Sequence, residues 1–257
     1  MRWQIIKNSF ATMLRKETVR IFRIWSQTLL PPLITQSLYF LIFGAFIGSR
    51  VGIVDGVPYM AFVVPGLVLM AVVQNSFSNV VFSFFMAKFQ KSIEELLVSP
   101  MPDWVMLAGY VTGGVVRGVT TGLLVYLVSA VFAHPPMLHP WAVLVFLFLT
   151  SLLFSLAGFL NAVFAKKFDD VTVFSTFVLI PLTYLGGVFY SIGQLPPLWQ
   201  KVSRLNPILY MVDGFRYGFF GKAGIPLYQS ILLLTTMIAA LIVTNLYLLR
   251  KGTGMKN

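Results

Sequence analysis

The 257-residue sequence is 58% hydrophobic and 11% charged, with a formal net charge of +11 and no cysteine. Its mean hydropathy of +0.84 is far above that of a soluble domain, and several windows of about 20 mainly apolar residues could each cross a bilayer. This composition excludes disulfides and thiol chemistry and indicates a polytopic membrane protein. Nucleic-acid binding is disfavoured, because the basic residues lie at the ends of apolar windows rather than in one patch.

The first 26 residues are predicted to form an amphipathic helix in the membrane interface. Apolar residues recur at helical spacing, among them Ile6, Phe10, Met13 and Ile21, and basic residues fill the positions between them. The basic face would lie among anionic lipid headgroups. The alternative is a frayed cytoplasmic tail, and Glu17 is the lone acid in the pattern.

Six membrane spans follow, which predicts an all-α membrane protein with one transmembrane domain over residues 1–257. The predicted spans are residues 28–47, 59–85, 105–132, 141–165, 171–190 and 228–249. Spans one to five thus occupy residues 28–190, a broken segment occupies residues 191–227, and the last span ends at residue 249. No stretch between the spans is long enough for a second, soluble domain.

The distribution of Lys and Arg predicts that both termini are cytoplasmic. The four segments that share a side with the termini carry Arg2, Lys7, Arg15, Lys16, Arg20, Arg23, Lys88, Lys91, Lys166, Lys167, Arg250, Lys251 and Lys256. The opposite side has Arg50 in its first loop, no Lys or Arg in its second, and a few basic residues in its long last segment. Because cytoplasmic loops carry the excess of positive charge, the first side is assigned to the cytoplasm.

The stretch "KSIEELLVSPMP" between spans two and three predicts a short cytoplasmic helix. Ser92 and Glu95 have the spacing of a capping box, and Pro100 and Pro102 would end the helix within two turns. Glu94 and Glu95 would lie in the first turn, where acids favour the helix dipole. Ile93, Leu96 and Leu97 would form an apolar face, and such a helix suits docking into a groove on another protein.

Span three contains an arginine and a row of glycines. Arg117 lies well inside the span, where a charge is costly unless it is paired or hydrated, so it either attracts an anionic headgroup or phosphate in transit or binds carbonyls of a neighbouring helix. Gly114, Gly118 and Gly122 lie four residues apart and predict close helix packing, within one chain or between two.

The segment over residues 191–227 is predicted to be a re-entrant helical hairpin, since its prolines and glycines interrupt apolar runs; an ordinary extracytoplasmic loop is the alternative. Aromatic residues crowd span five and this segment. They are either interfacial and packing residues or an aromatic collar across a lipid or glycan exit path. The candidates for a substrate pathway are Arg117, Tyr184, Phe189, Tyr190, Phe215 and Tyr217.

Other chemistry is not indicated. Asp169 and Asp170 follow two lysines as a solvated charge cluster, and His134 and His139 have no companion ligands, so no metal site and no catalytic residue are predicted. An ion-coupled secondary transporter is the alternative function, but it would usually require carboxylates within the spans. An intramembrane enzyme would require a nucleophile with its base or a cluster of metal ligands.

Several stretches resemble one family along nearly the whole chain. Residues 75–102, "NSFSNVVFSFFMAKFQKSIEELLVSPMP", are similar to the gate-helix region of ABC-2 type transport permeases, the membrane subunits of certain ATP-binding cassette exporters. Further similar stretches are "RIWSQTLLPPLITQSLYFLIFGAFIG", "VPGLVLM", "NAVFAKKFDDV", "PLTYLGGVFYSIGQLPPLWQ" and "LNPILYMVDGFRYGFFG". Within the family, the sequence most resembles the YadH-like bacterial inner-membrane permeases.

The resemblance implies a six-span exporter subunit in the bacterial inner membrane that forms a homodimer and works with two copies of a separate ATPase subunit. The gate helix, Ser92 to Leu97, would contact that ATPase. This chain would bind no cofactor of its own, and ATP and Mg²⁺ would be held by the ATPase subunit. The sequence has no P-loop motif, and its nearest fragment, "FFGKAG", lacks the leading Gly and the Ser/Thr. The substrate would be lipidic, glycan-linked or hydrophobic.

Overall fold

The computed structural model describes residues 2–254 as a bundle of helices. Within these residues an N-terminal helix, Arg2–Arg23, precedes six helices that are long and apolar enough to cross a membrane. Spans 1 to 6 are Trp25–Val51, Tyr59–Phe89, Asp103–Phe132, Pro140–Phe164, Phe168–Leu185 and Leu227–Lys251. A gate helix, Ser92–Val98, joins spans 2 and 3, and helix A, Pro197–Arg204, and helix B, Pro207–Phe220, lie between spans 5 and 6.

Spans 1 and 5 are irregular and are the least buried of the six. Span 1 consists of Trp25–Thr28, Leu30–Tyr39, a π-helical stretch Phe40–Ile47 and a last turn Gly48–Val51. Span 5 consists of Phe168–Phe174, a π-helical stretch Ser175–Leu179 and Ile180–Leu185. π-Helical turns are rare and are frequently found at functional sites, and both of these spans contain one.

The prediction of an all-α protein with six spans is confirmed. Span 5 ends at Leu185 rather than residue 190, because Gly186 leaves the helix and Gly187 has a φ of 75°. A single 3₁₀ turn, Ile192–Gln194, follows. Strands β1, Ile53–Val54, and β2, Val57–Pro58, were not predicted; they form a small antiparallel hairpin between spans 1 and 2.

Span 2 lies at the centre of the bundle, buried along nearly its whole length between spans 3 and 4. Glycines allow the close approach. A Cβ built at Gly158 of span 4 would lie 2.6 Å from the Phe77 carbonyl oxygen, and one at Gly122 of span 3 would lie 2.6 Å from Val72 Cγ2. Gly114 and Gly118 meet side chains of spans 2 and 4 in the same way. The glycine row of span 3 therefore faces helices of its own chain.

The N-terminal helix packs on span 3 rather than standing free. Met13, Glu17 and Ile21 are spaced four residues apart and are all buried. Gly109 and Gly113 of span 3 make room for them, since a Cβ at either glycine would lie 2.7 Å from the Cβ of Met13 or Glu17. The interfacial position of this helix stays a prediction, but one of its faces is part of the core.

A buried lysine joins the ends of spans 2 and 4. Lys88, in the last turn of span 2, donates from Nζ to the carbonyl oxygens of Ala162, Val163 and Ala165 at 3.0, 2.8 and 3.1 Å. These carbonyls at the C-terminus of span 4 would otherwise lack partners. The side of the bundle that carries this contact, the gate helix, the start of the N-terminal helix and the end of span 6 is called the terminus side below.

Helix B runs antiparallel to span 4. It begins beside the middle of span 4 and ends beside the first turn of that span, on the side opposite the terminus side. Pro207 lines an apolar cavity with Leu153 and Phe154, midway along span 4, whereas Gly218 contacts Val143 near the start of the span. Asn206 holds the beginning of helix B. Its Oδ1 accepts from the Ile208 N–H at 3.0 Å, and its Nδ2 donates to a carbonyl of span 5. The re-entrant hairpin stays a prediction, and this depth is what it requires.

Candidate functional site

Two residues, Gln90 and Lys91, separate the gate helix from span 2, and the helix presents an acidic edge. Glu94 and Glu95 are exposed and lie in its first turn, and Val98 is 85% exposed at its end. Ile93 is only 2% exposed because it packs into the core, and Leu96 is partly buried against the same core. The Leu97 backbone is part of the helix, but its side chain lies outside the described residues. Among the side chains of this helix that the structure describes, Glu94, Glu95 and Val98 are exposed.

The predicted capping box at Ser92 and Glu95 is wrong. The residue that caps the helix is Lys91, in the left-handed region with a φ of 60°, and no side chain accepts from the first turn. The Ser92 hydroxyl instead donates to the Ala87 carbonyl oxygen of span 2 at 3.3 Å. The turn at Gln90 and Lys91 is so short that Ser92 lies beside the end of span 2, whose free carbonyls compete for its hydroxyl.

A buried carboxylate joins the N-terminal helix to span 2. Glu17 has no exposed surface; its Oε2 accepts from Arg20 Nη2 at 2.8 Å and its Oε1 accepts from the Ser83 hydroxyl at 2.7 Å. Arg20 also donates to Asn79 Oδ1 at 3.0 Å. In the part of the chain that the structure describes, Arg20 and Glu17 form the only ion pair. This polar cluster fixes the N-terminal helix in one register.

The sequence pattern did not predict this cluster, although Glu17 stood out as the only acid in the basic N-terminal helix. The available signal was the four-residue spacing of Met13, Glu17 and Ile21, which places the lone acid on the apolar face. Burial raises the pKa of the Glu17 carboxyl above its ordinary value of 4.5, and Arg20, the Ser83 hydrogen bond and Lys16 oppose that rise.

We expect Glu17→Gln to flatten the dependence of stability on pH. As pH rises above 4.5, the unfolded chain loses the Glu17 proton before the folded chain does. Stability therefore falls with pH until the folded pKa is passed, by at most about 1.4 kcal/mol per pH unit. The check is the apparent Tm in detergent from pH 4 to 8. The exposed control, Glu95→Gln, should keep the wild-type slope; equal slopes in all three proteins would refute the assignment.

Arg117 reaches across to span 1. Its Nη2 donates to the Thr28 carbonyl oxygen at 3.1 Å, where the first turn of span 1 gives way to the next helix. Its Nε is buried without a hydrogen-bond partner in the described residues. Of the two roles considered for this arginine, the contact with a neighbouring carbonyl is present in the structure.

Two of the aromatic pathway candidates lie together between spans 1 and 5. The rings of Tyr184 and Phe189 are stacked with centroids 5.6 Å apart. Phe189 also packs against Phe43 at 4.4 Å, and the hydroxyls of Tyr39 and Tyr184 lie 3.4 Å apart. We call these four residues the aromatic cluster. Span 1 supplies half of it, which the sequence reasoning missed because it searched only span 5 and the segment behind it.

The remaining aromatic candidates lie elsewhere. Phe215 is buried and packs against Phe219, and Tyr217 stacks on His139 with ring centroids 4.7 Å apart. Tyr190 is half-buried beyond the Gly187 turn. Among the described residues, none of these three rings contacts the aromatic cluster. The cluster is therefore made of Tyr39, Phe43, Tyr184 and Phe189 alone.

Comparison with known proteins shows which family the chain belongs to. The family model described as ABC-2 type transporter matches residues 8–220. The chain belongs to the ABC-2 type transporter family. It is 52% identical over 256 residues to the inner membrane transport permease YadH of Escherichia coli K12, covering 99% of this chain and 98% of that protein.

More distant relatives of this ABC-2 permease are also similar over most of their length. Nodulation protein J of Rhizobium leguminosarum bv. viciae is 24% identical, covering 81% of this chain and 82% of that protein. Nodulation protein J of Sinorhizobium fredii is 25% identical, with coverage of 73% and 71%. The predicted family and the YadH-like resemblance are confirmed, and the chain is a multi-pass transport permease of the inner membrane.

Proposed function

We propose that this permease is the membrane subunit of an ATP-driven exporter and that its gate helix docks onto a separate ATPase subunit. The observation that carries the proposal is the exposed acidic edge of Glu94 and Glu95, on the short helix that follows the most buried span. Ile93 is buried in the core, so a movement of the acidic edge would be transmitted to the centre of the bundle. ATP and Mg²⁺ are assigned to the partner, and this chain is assigned no cofactor.

The terminus side is assigned to the cytoplasm. Its helix ends and turns carry Lys88, Lys91, Lys166, Lys167, Arg250 and Lys251, in addition to the basic residues of the N-terminal helix, and such an excess is typical of cytoplasmic segments. This orientation exposes the gate helix to a soluble ATPase. It leaves helices A and B toward the outer face.

A second copy of the chain is proposed to cover spans 1 and 5, so that the complex contains a permease homodimer and two ATPase subunits. These spans leave large apolar side chains exposed, including Ile34, Leu38 and Phe177. The aromatic cluster lies between the same two spans. A pathway lined by rings and flanked by π-helical turns favours lipidic, glycan-linked or hydrophobic substrates.

The test is purification of the tagged full chain at native expression, followed by identification of co-purifying proteins and an ATPase assay. We expect a P-loop ATPase in about equal amount and ATP hydrolysis by the complex. A matched purification of an unrelated six-span protein controls for adventitious capture. Recovery of this chain alone, without hydrolysis, would contradict the proposed coupling.

A further inference from the structure

A charged pocket opens on the side opposite the terminus side. It has a volume of about 450 Å³ and lies between the β-hairpin, the 3₁₀ turn after span 5, the end of helix A, and helix B with the loop that follows it. Its charged lining residues are Asp55, Arg204, Asp213, Arg216 and Lys222. The gate helix, the aromatic cluster and Arg117 contribute nothing to it, so it is distinct from the features described above.

Arg216 is a fixed cation in this pocket. Its Nη2 donates to the carbonyl oxygens of Gly187 and Val188 at 2.7 and 3.2 Å, and its guanidinium carbon lies 3.7 Å from the centroid of the Phe62 ring. Nη1 makes no hydrogen bond to the described residues. One edge of the guanidinium is therefore held by the protein. No carboxylate of the described residues lies within ion-pair distance of the charge, and Asp213 and Asp55 attract it from further away.

Two exposed cations complete the positive side of the pocket. Arg204 and Lys222 are exposed, and their side chains donate no hydrogen bond within the described part of the chain. Lys222 Nζ lies over the β-hairpin turn, 3.9 Å from where a Cβ on Gly56 would be. Long basic side chains free at the rim of a cavity can close on an anion without breaking an existing contact.

The two acids of the pocket, Asp55 and Asp213, offset only part of these three positive charges. Asp213 accepts two backbone hydrogen bonds, from the Gly224 N–H to Oδ1 at 3.0 Å and from the Ile225 N–H to Oδ2 at 2.8 Å. It holds in place the loop that carries Lys222. Asp55 is exposed in the left-handed turn of the hairpin, with a φ of 52°, and forms no ion pair in the described residues.

The mouth of the pocket adjoins an apolar surface. Helix A and the residue after it expose Leu198, Trp199 and Leu205, of which Leu205 is 86% exposed. Arg204 lies in the same last turn as this apolar surface. A short helix with one apolar face, a tryptophan and basic residues is typical of the membrane interface, where phosphate groups are concentrated.

We propose that this pocket binds a phosphate group, carried by a lipid headgroup or a soluble phosphate ester. Guanidinium groups match the geometry of phosphate oxygens, and a pocket of this size accommodates a headgroup. Three cations against two acids leave the pocket with one net positive charge, which favours an anion over a cation or an apolar ligand. The site requires no ATPase partner, so it does not depend on the proposed coupling.

The test uses the full chain in a maltoside detergent, which contains no phosphate. Native mass spectrometry counts retained phosphatidylglycerol, and a titration with short-chain phosphatidylglycerol gives the affinity. We expect Arg204→Gln with Lys222→Gln to weaken binding at least tenfold. The matched control is Lys201→Gln with Arg250→Gln, which removes the same charge from exposed residues outside the pocket. Asp55→Asn should strengthen binding, since it removes the free acid.

Competition with inorganic phosphate and retention of diacylglycerol, which has no phosphate, show which chemical group the pocket binds. Competition by inorganic phosphate, with the same sensitivity to the Arg204 and Lys222 changes, would support a site for phosphate from a soluble source. Lack of competition, with phosphatidylglycerol still dependent on both residues, would support a lipid headgroup site. Equal binding to the pocket variant and the charge-matched control, or equal retention of diacylglycerol, would overturn the proposal.

Discussion

Reversing the acidic edge of the gate helix, by Glu94→Lys with Glu95→Lys, is expected to reduce ATP hydrolysis by the complex to the level of the ATPase alone. Both side chains are exposed and neither makes a hydrogen bond in the described residues, so the bundle should still form. A partner surface complementary to two acids would instead face two like charges, and such mismatches cost several kcal/mol at an interface. The measurement is ATPase activity and co-purification of the partner.

Two variants separate this electrostatic effect from loss of the helix. Each lysine in the first turn destabilises the helix by about 0.3 to 1 kcal/mol, because it opposes the helix dipole. The double variant Glu94→Gln with Glu95→Gln introduces no such positive charge, and we expect it to have intermediate ATPase activity. Asp169→Lys reverses an exposed acid elsewhere on the terminus side and should leave activity unchanged. Full coupling in the lysine variant would exclude this edge as the docking surface.

Gly158→Leu is expected to prevent the bundle from assembling. A Cβ at this position would already lie 2.6 Å from the Phe77 carbonyl oxygen, and backbone cannot rotate away as a side chain can. Spans 2 and 4 would have to separate along the centre of the protein, at a cost of about 3 kcal/mol or more. The measurement is the recovery of monodisperse protein and its apparent Tm.

Graded substitutions make the Gly158 prediction specific. Gly158→Ala should lower the apparent Tm less than Leu does, because it adds one carbon to the same contact. Ala130→Leu adds bulk to an exposed position of span 3 and should have little effect. If Gly158→Leu eluted and melted like the wild type, the close approach of spans 2 and 4 would be wrong.

The number of spans and the family were predictable because both depend on patterns local to the chain. Apolar length and flanking charge determine a span whatever its neighbours are, and all six predicted spans overlap those of the structure. The stop at Pro100 also holds, since the gate helix ends at Val98. In each case the controlling residues lie within a few positions of the feature they control.

The failures concern contacts between residues far apart in the sequence. Ser92 was expected to cap its own helix, but the adjacent end of span 2 takes its hydroxyl. Glu17 is held by Ser83, which is 66 residues away, and the sequence pattern does not specify that pairing. Half of the aromatic cluster comes from span 1, and its Tyr39 is 145 residues from Tyr184.

The contact between Lys88 and span 4 has a mechanical consequence. The ammonium group binds three carbonyl oxygens at the end of span 4, and only Phe89, Gln90 and Lys91 separate it from the gate helix. A displacement of the gate helix therefore either breaks three charge-assisted hydrogen bonds at once or pulls span 4 with span 2. Moving span 4 together with span 2 costs less than breaking the three hydrogen bonds. Spans 2 and 4 should therefore move as one rigid body, and spans 1 and 5 should change position relative to them.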